Sequence, residues 1–240
     1  MSKLFGAFEG AYMATKKAFV ATQWLMALKI SVATVIGAMT VFVVSANMFE
    51  DASMFTVSLI PSQNEDVAGM QISMSETADF AEPTIVLQAE GVEQMTNISY
   101  TWLPAGLDDT DGAHNGDNYL AYTFYVKNSG DAAGTLRETI NVDSSVLGAD
   151  EAIRVRVYRN GAPTTYAKIG ADGTPETGTI AFESDKVVFS NDIPDVQPGQ
   201  ILKYTLVIWL EGDDPECLDN IKGGNVKMSM TFGVGETPQA

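Results

Sequence analysis

The chain has 240 residues, a formal net charge of −17, one cysteine and one histidine. That charge excludes nucleic acid as a partner, because phosphate recognition needs a basic face. Cys217 cannot form an internal disulfide, and His114 leaves too few nitrogen and sulfur ligands for an ordinary zinc site, so stability has to come from packing.

Near the N-terminus, Ile30–Ala46 (ISVATVIGAMTVFVVSA) runs without a charge. Lys3, Lys16, Lys17 and Lys29 precede it, while Glu50 and Asp51 follow. This asymmetry holds the N-terminus in the cytoplasm and sends the rest of the chain across the membrane. As a helix the stretch measures about 25 Å, the short limit for a span. Val44-Ser45-Ala46 is also a small-residue site of the kind that signal peptidase cuts. Residues 1–46 are therefore expected to be a signal peptide or a membrane anchor. Residues 47–240 are expected to form an extracellular domain, tethered to the membrane through residues 30–46 if these are not cleaved.

Beyond this segment the hydrophobic period changes to two, and short apolar runs alternate with Gly, Pro, Asn and Asp clusters. The expected strands begin with Met54–Ile60, closed by Pro61, then Gly69–Ser75, Pro83–Glu90 and Ile98–Leu103, closed by Pro104. Asn118–Lys127 places Leu120, Tyr122, Phe124 and Val126 on one face and Tyr119, Ala121, Thr123 and Tyr125 on the other, so both sides should be partly covered. Asn128-Ser129-Gly130-Asp131 reads as a turn before Leu136–Val142. In Ala152–Tyr158, Ile153, Val155 and Val157 face inward and Arg154 and Arg156 outward, and Asn160-Gly161 is a hairpin signal before Thr164–Lys168. Thr179–Phe182, Lys186–Phe189, Ile201–Trp209 and Asn225–Phe232 complete the series. About ten strands with no helical run among them predict an all-β fold, an antiparallel two-sheet sandwich or jelly roll preceded by an N-terminal hydrophobic helix.

Two acidic loops carry the metal-ligand candidates. Asp108, Asp109, Asp111 and Asp117 crowd into one inter-strand loop, and Asp213 and Asp214 belong to a second cluster, Glu211–Asp219. Oxygen donors at that density suit Ca²⁺, although an EF-hand register begun at Asp109 would put Leu120 where a bidentate Glu belongs. The acidic neighbours of Cys217 should raise its thiol pKa and weaken it as a nucleophile. No phosphate loop, dinucleotide fingerprint or zinc motif occurs, so no enzymatic activity and no catalytic residue are expected. Tyr100, Trp102, Tyr119, Tyr122, Tyr125 and Trp209 could form an aromatic platform for sugar or peptide, or serve as strand packing.

A signal-like helix, the strand Phe55-Thr56-Val57-Ser58-Leu59 close behind it, a Tyr-rich strand ending Lys127-Asn128-Ser129-Gly130 and the closing Gly223–Phe232 (GGNVKMSMTF) together resemble the TasA/camelysin family of exported Gram-positive proteins. That resemblance implies a jelly-roll domain behind a signal peptide, and self-assembly into biofilm-matrix fibres in which an N-terminal segment completes a neighbour's sheet. The metalloprotease activity described for camelysin does not carry over, since HExxH is absent. His114-Asn115-Gly116-Asp117-Asn118-Tyr119 and Trp209–Cys217 (WLEGDDPEC) also resemble surface proteins of anaerobic Gram-positive bacteria. The expected function is a non-catalytic structural protein of the cell surface or biofilm matrix, assembling with itself or with other surface proteins. The alternative is a membrane-tethered, Ca²⁺-dependent surface binding module.

Overall fold

A computed structural model describes residues 54–60 and 69–235. The chain divides into two compact units, Met1–Asp51 and Ala52–Ala240, and all described residues belong to the second. The expected helix over residues 30–46 lies outside the described residues. Among those described, no helix is long and apolar enough to cross a membrane.

The second unit is all-β. Its strands are β1 (Met54–Leu59), β2 (Ile72–Ser75), β3 (Val86–Glu90), β4 (Gly112–Ala113), β5 (Tyr119–Asn128) and β6 (Gly134–Val146), then β7 (Ile153–Arg159), β8 (Ala162–Ala167), β9 (Ile180–Ala181), β10 (Val187–Val196), β11 (Ile201–Leu210) and β12 (Asn225–Val234). One sheet runs β10-β6-β12-β1-β3, and the other β2-β5-β11-β7-β8-β9, with β4 also on β5. Both sheets are mixed, which corrects the antiparallel expectation: β1 lies parallel to β12, and β8 parallel to β9. The reason is connectivity, since neither pair is joined by a hairpin and so neither is bound to an antiparallel register.

Alternation places the core between the sheets. Phe55, Val57, Leu136, Ile140, Met228, Met230 and Phe232 from the five-stranded sheet meet Leu120, Tyr122, Phe124, Val126, Tyr204 and Leu206 from the other in one cluster. Phe124 stacks on Tyr204 at 5.6 Å, and both rings meet Phe232 edge-on at 6.0 and 5.1 Å, joining the sheets through aromatic contact. The Asn160-Gly161 turn joins β7 to β8 with φ values of +51° and +82°, the positive pair that a tight hairpin requires.

A smaller apolar cluster covers the outer face of the seven-stranded sheet, where Ile98 and Leu107 pack on Ala121, Val207 and Trp209. It explains why β5 is buried on both faces. It also corrects one expected element: residues 98–103 form no strand but a 3₁₀ turn, Tyr100–Trp102. Ile98 alone bridges to Glu211, and the Tyr100 N–H then turns away to donate to the Glu211 carboxylate at 3.1 Å, which ends the ladder.

Candidate functional site

The first candidate is a slot rather than a pocket. β1 sits between β12 and β3, pairing Thr56 to Leu59 with Ser229 to Phe232 on one side and Met54 to Ser58 with Glu90 to Val86 on the other. Phe55 and Val57 are buried on the core face, Val57 completely. Each such side chain contributes about 1.5–3 kcal/mol through burial. The N-terminal strand therefore completes the sheet and is not an appendage to it.

The six aspartates do not converge. On the first loop, the Asp111 Oδ1 accepts the Tyr125 hydroxyl at 2.6 Å, and burial and then Asp111 push that phenol up to about 12. The Asp108 carbonyl takes the Lys203 ammonium, and Asp109 belongs to the 3₁₀ turn Leu107–Asp109. The His114 ring nitrogens lie 2.9 Å from the Gly112 carbonyl and 2.7 Å from that of Leu107, so the ring ties this loop together. Asp117 and Asp213 join no group of three or more potential ligands among the described residues.

Asp214 does belong to such a group, with Glu176 and Glu216, whose carboxylate oxygens lie within 4.8 Å of one another. Composition gave no sign of Glu176 as a member, because it comes from a separate loop. The group already contains a cation. Arg154, which projects from β7 away from the main core, places Nη2 2.6 Å from the Asp214 Oδ2, outside hydrogen-bond geometry, and 3.4 Å from the Glu176 Oε2. The Glu216 Oε1 accepts the Ala171 N–H at 2.9 Å, and the Asp214 Oδ1 accepts the Glu216 N–H at 2.8 Å. Burial, then the neighbouring Glu216 carboxyl, raises the Asp214 pKa, whereas the Ala171 N–H, then Asp214, lowers that of Glu216, so a proton entering the pair resides on Asp214. The arrangement ties β7 to loops 170–176 and 211–219.

Cys217 and His114 have separate partners. Burial first, then Asp214 and Glu211, push the Cys217 thiol up, while Asn97 hydrogen-bonds to it. That combination leaves no activated nucleophile. The expected aromatic platform also divides: Tyr122, Tyr125 and Trp209 are buried, whereas Tyr100 and Trp102 are exposed, Trp102 by 74%.

No protein-family model matches the chain, and no curated protein matches it.

Proposed function

We propose that this is an exported, non-catalytic structural protein of the cell surface or biofilm matrix, a jelly-roll-like domain that assembles by exchange of its N-terminal strand. The observation that carries the reading is the position of β1, the first described strand, held as an inner strand between β12 and β3. A slot of that kind is filled equally well by the same strand from another copy, through main-chain hydrogen bonds plus pockets for Phe55 and Val57. Head-to-tail filling propagates a filament. The eight residues that follow, 61–68 (PSQNEDVA), are mostly polar in sequence. At the exit of the slot, Ile60, Ile85 and Val86 are exposed and offer an apolar contact for a neighbouring copy. Export is supported by the uncharged Ile30–Ala46 with its flanking charges.

The register supplies a test. Thr56 faces Gln88 across the β1–β3 pair, with both side chains off the core face. A Thr56→Cys/Gln88→Cys chain, with Cys217→Ser to remove the native thiol, is assembled under reducing conditions and then oxidised. Strand exchange gives a ladder of covalent multimers on a denaturing gel, alongside filaments by electron microscopy. Filaments that yield only internally closed monomers would overturn it. Mass spectrometry of the chain from its own cells tests export separately, through a start at Asn47 or a membrane-bound intact N-terminus.

A further inference from the structure

We propose that the outer face of the seven-stranded sheet carries a glycan-binding site in which Arg156 receives the carboxylate of an acidic sugar unit. The site lies away from the β1 slot and does not depend on strand exchange.

The four arginines of the chain differ in one respect. Arg137 is ion-paired with Asp192, Arg154 with Asp214 and Arg159 with Glu138. Arg156 has no carboxylate within ion-pair distance among the described residues, although acids outnumber bases by 31 to 14. Yet its guanidinium is fixed: Nε donates to the Thr165 Oγ1 at 2.9 Å, and the group lies 5.6 Å from the Tyr100 ring centre and 5.5 Å from that of Trp209. Its two terminal nitrogens, the fork that matches a carboxylate, donate to no described residue. A half-buried cation held by one hydrogen bond and two aromatic neighbours, with its fork unused, is preorganised for an anion, because little side-chain entropy remains to be lost on binding.

Arg156 lines a groove of about 400 Å³ together with Pro163, Thr164, Thr165, Thr179 and Ile180. The hydroxyls there have complementary duties. The Thr165 oxygen accepts from Arg156 and keeps its proton to donate, while the Thr179 hydroxyl donates to the Glu176 carbonyl at 2.9 Å and keeps lone pairs to accept. Sugar hydroxyls need both. The exposed Tyr100 ring borders the same guanidinium, giving a flat apolar face for a pyranose ring. Within the groove itself Pro163 and Ile180 are the apolar walls, which leaves a peptide little to fill with its side chains. The −17 charge further selects a sparsely charged ligand, because a dense polyanion would be repelled before it arrived.

The test uses the full chain in mild detergent, titrated with a glucose trisaccharide bearing a single glucuronic acid unit, a neutral glucose trisaccharide and an acidic tripeptide, followed by calorimetry and by the fluorescence of Trp209 beneath Arg156. The acidic sugar is expected to bind with a sub-millimolar Kd, and the neutral sugar about tenfold or more weaker. Arg156→Lys keeps the charge but loses the fork and the Thr165 hydrogen bond that holds it, so it should weaken binding about tenfold or more. Tyr100→Ala, an exposed site, should weaken it while leaving the melting curve in place. No response to acidic sugar up to about 10 mM, equal binding by Arg156→Lys, or tighter binding of the tripeptide would each overturn the proposal.

Discussion

Glu138 shows how a single buried acid shapes the response of this fold to pH. Its side chain is 3% exposed, accepts the Tyr204 hydroxyl at 2.6 Å and meets the half-exposed Arg159 at 2.8 Å. Burial raises its pKa against the opposing pull of Tyr204 and Arg159. A raised folded-state pKa means that the native protein holds this proton more tightly than the unfolded chain does. The resulting stabilisation is complete below the ordinary carboxyl range and is lost as pH rises through the folded value. Glu138→Gln removes the titration, at the modest cost of a partly solvated ion pair. The stability of the variant relative to the native chain should therefore climb as pH rises from the ordinary carboxyl range through the raised folded-state value, as read by urea denaturation at each pH. The general self-repulsion of the acidic surface cancels in that difference. A constant gap, or one that moves the other way, would refute the assignment.

Turns and strands carry their own constraints. Within Asn128-Ser129-Gly130-Asp131, Ser129 N–H donates to the Gln71 carbonyl at 2.7 Å and Asp131 N–H to the Gly69 carbonyl at 2.9 Å. The turn is thus clamped against the chain entering β2. A Cβ on Gly130 would lie 1.9 Å from the Gly69 oxygen and 2.5 Å from the Gln71 nitrogen, both backbone atoms that cannot step aside. Gly130→Ala should cost about 2–4 kcal/mol by thermal or chemical unfolding. Gly173→Ala, where φ is +80° but nothing lies within 4 Å, should cost only about 1–2 kcal/mol from backbone strain. Equal losses would mean that close approach is not what requires Gly130. The turn itself was legible from its residue types, as were the core faces of β5 and β7 from their alternation. What alternation cannot report is the partner. Nothing in Phe55-Thr56-Val57 announces a parallel pairing with Ser229 to Met230, and Ile98, Tyr100 and Trp102 alternate as a strand would although only Ile98 pairs. β10 was read too short, because Ser190, Asn191, Asp192, Pro194 and Asp195 look like a loop; they extend an edge strand whose outer side faces water. Arg154 and Arg156 were rightly placed off the main core, yet loops that are distant in sequence cover that face and turn two apparently solvated cations into a buried link and a held receptor.

At the scale of the whole molecule the dominant quantity is charge. A net −17 on the chain, carried by the part beyond the lysine-rich first 46 residues, works against the folded state by self-repulsion, which salt relieves. The acidic loops raise a sharper question, namely whether calcium does more than screen. In the one close carboxylate group among the described residues, Arg154 already supplies a positive charge 2.6 Å from Asp214. A divalent ion would have to displace that guanidinium or crowd against it, and the Asp108 to Asp117 loop is held by Tyr125, Lys203 and its own His114 contacts instead. NaCl and CaCl₂ at matched ionic strength should therefore raise the melting temperature to the same degree, with chelator added after calcium changing nothing further. An extra rise in calcium that disappears in Asp214→Asn would place a cation in the Arg154 cluster. A calcium-specific rise that survives Asp214→Asn but is lost in Asp111→Asn would place one on the first loop. In either of those cases the acidic loops would be ligands and not solvated ends, and the binding-module reading would displace the structural one.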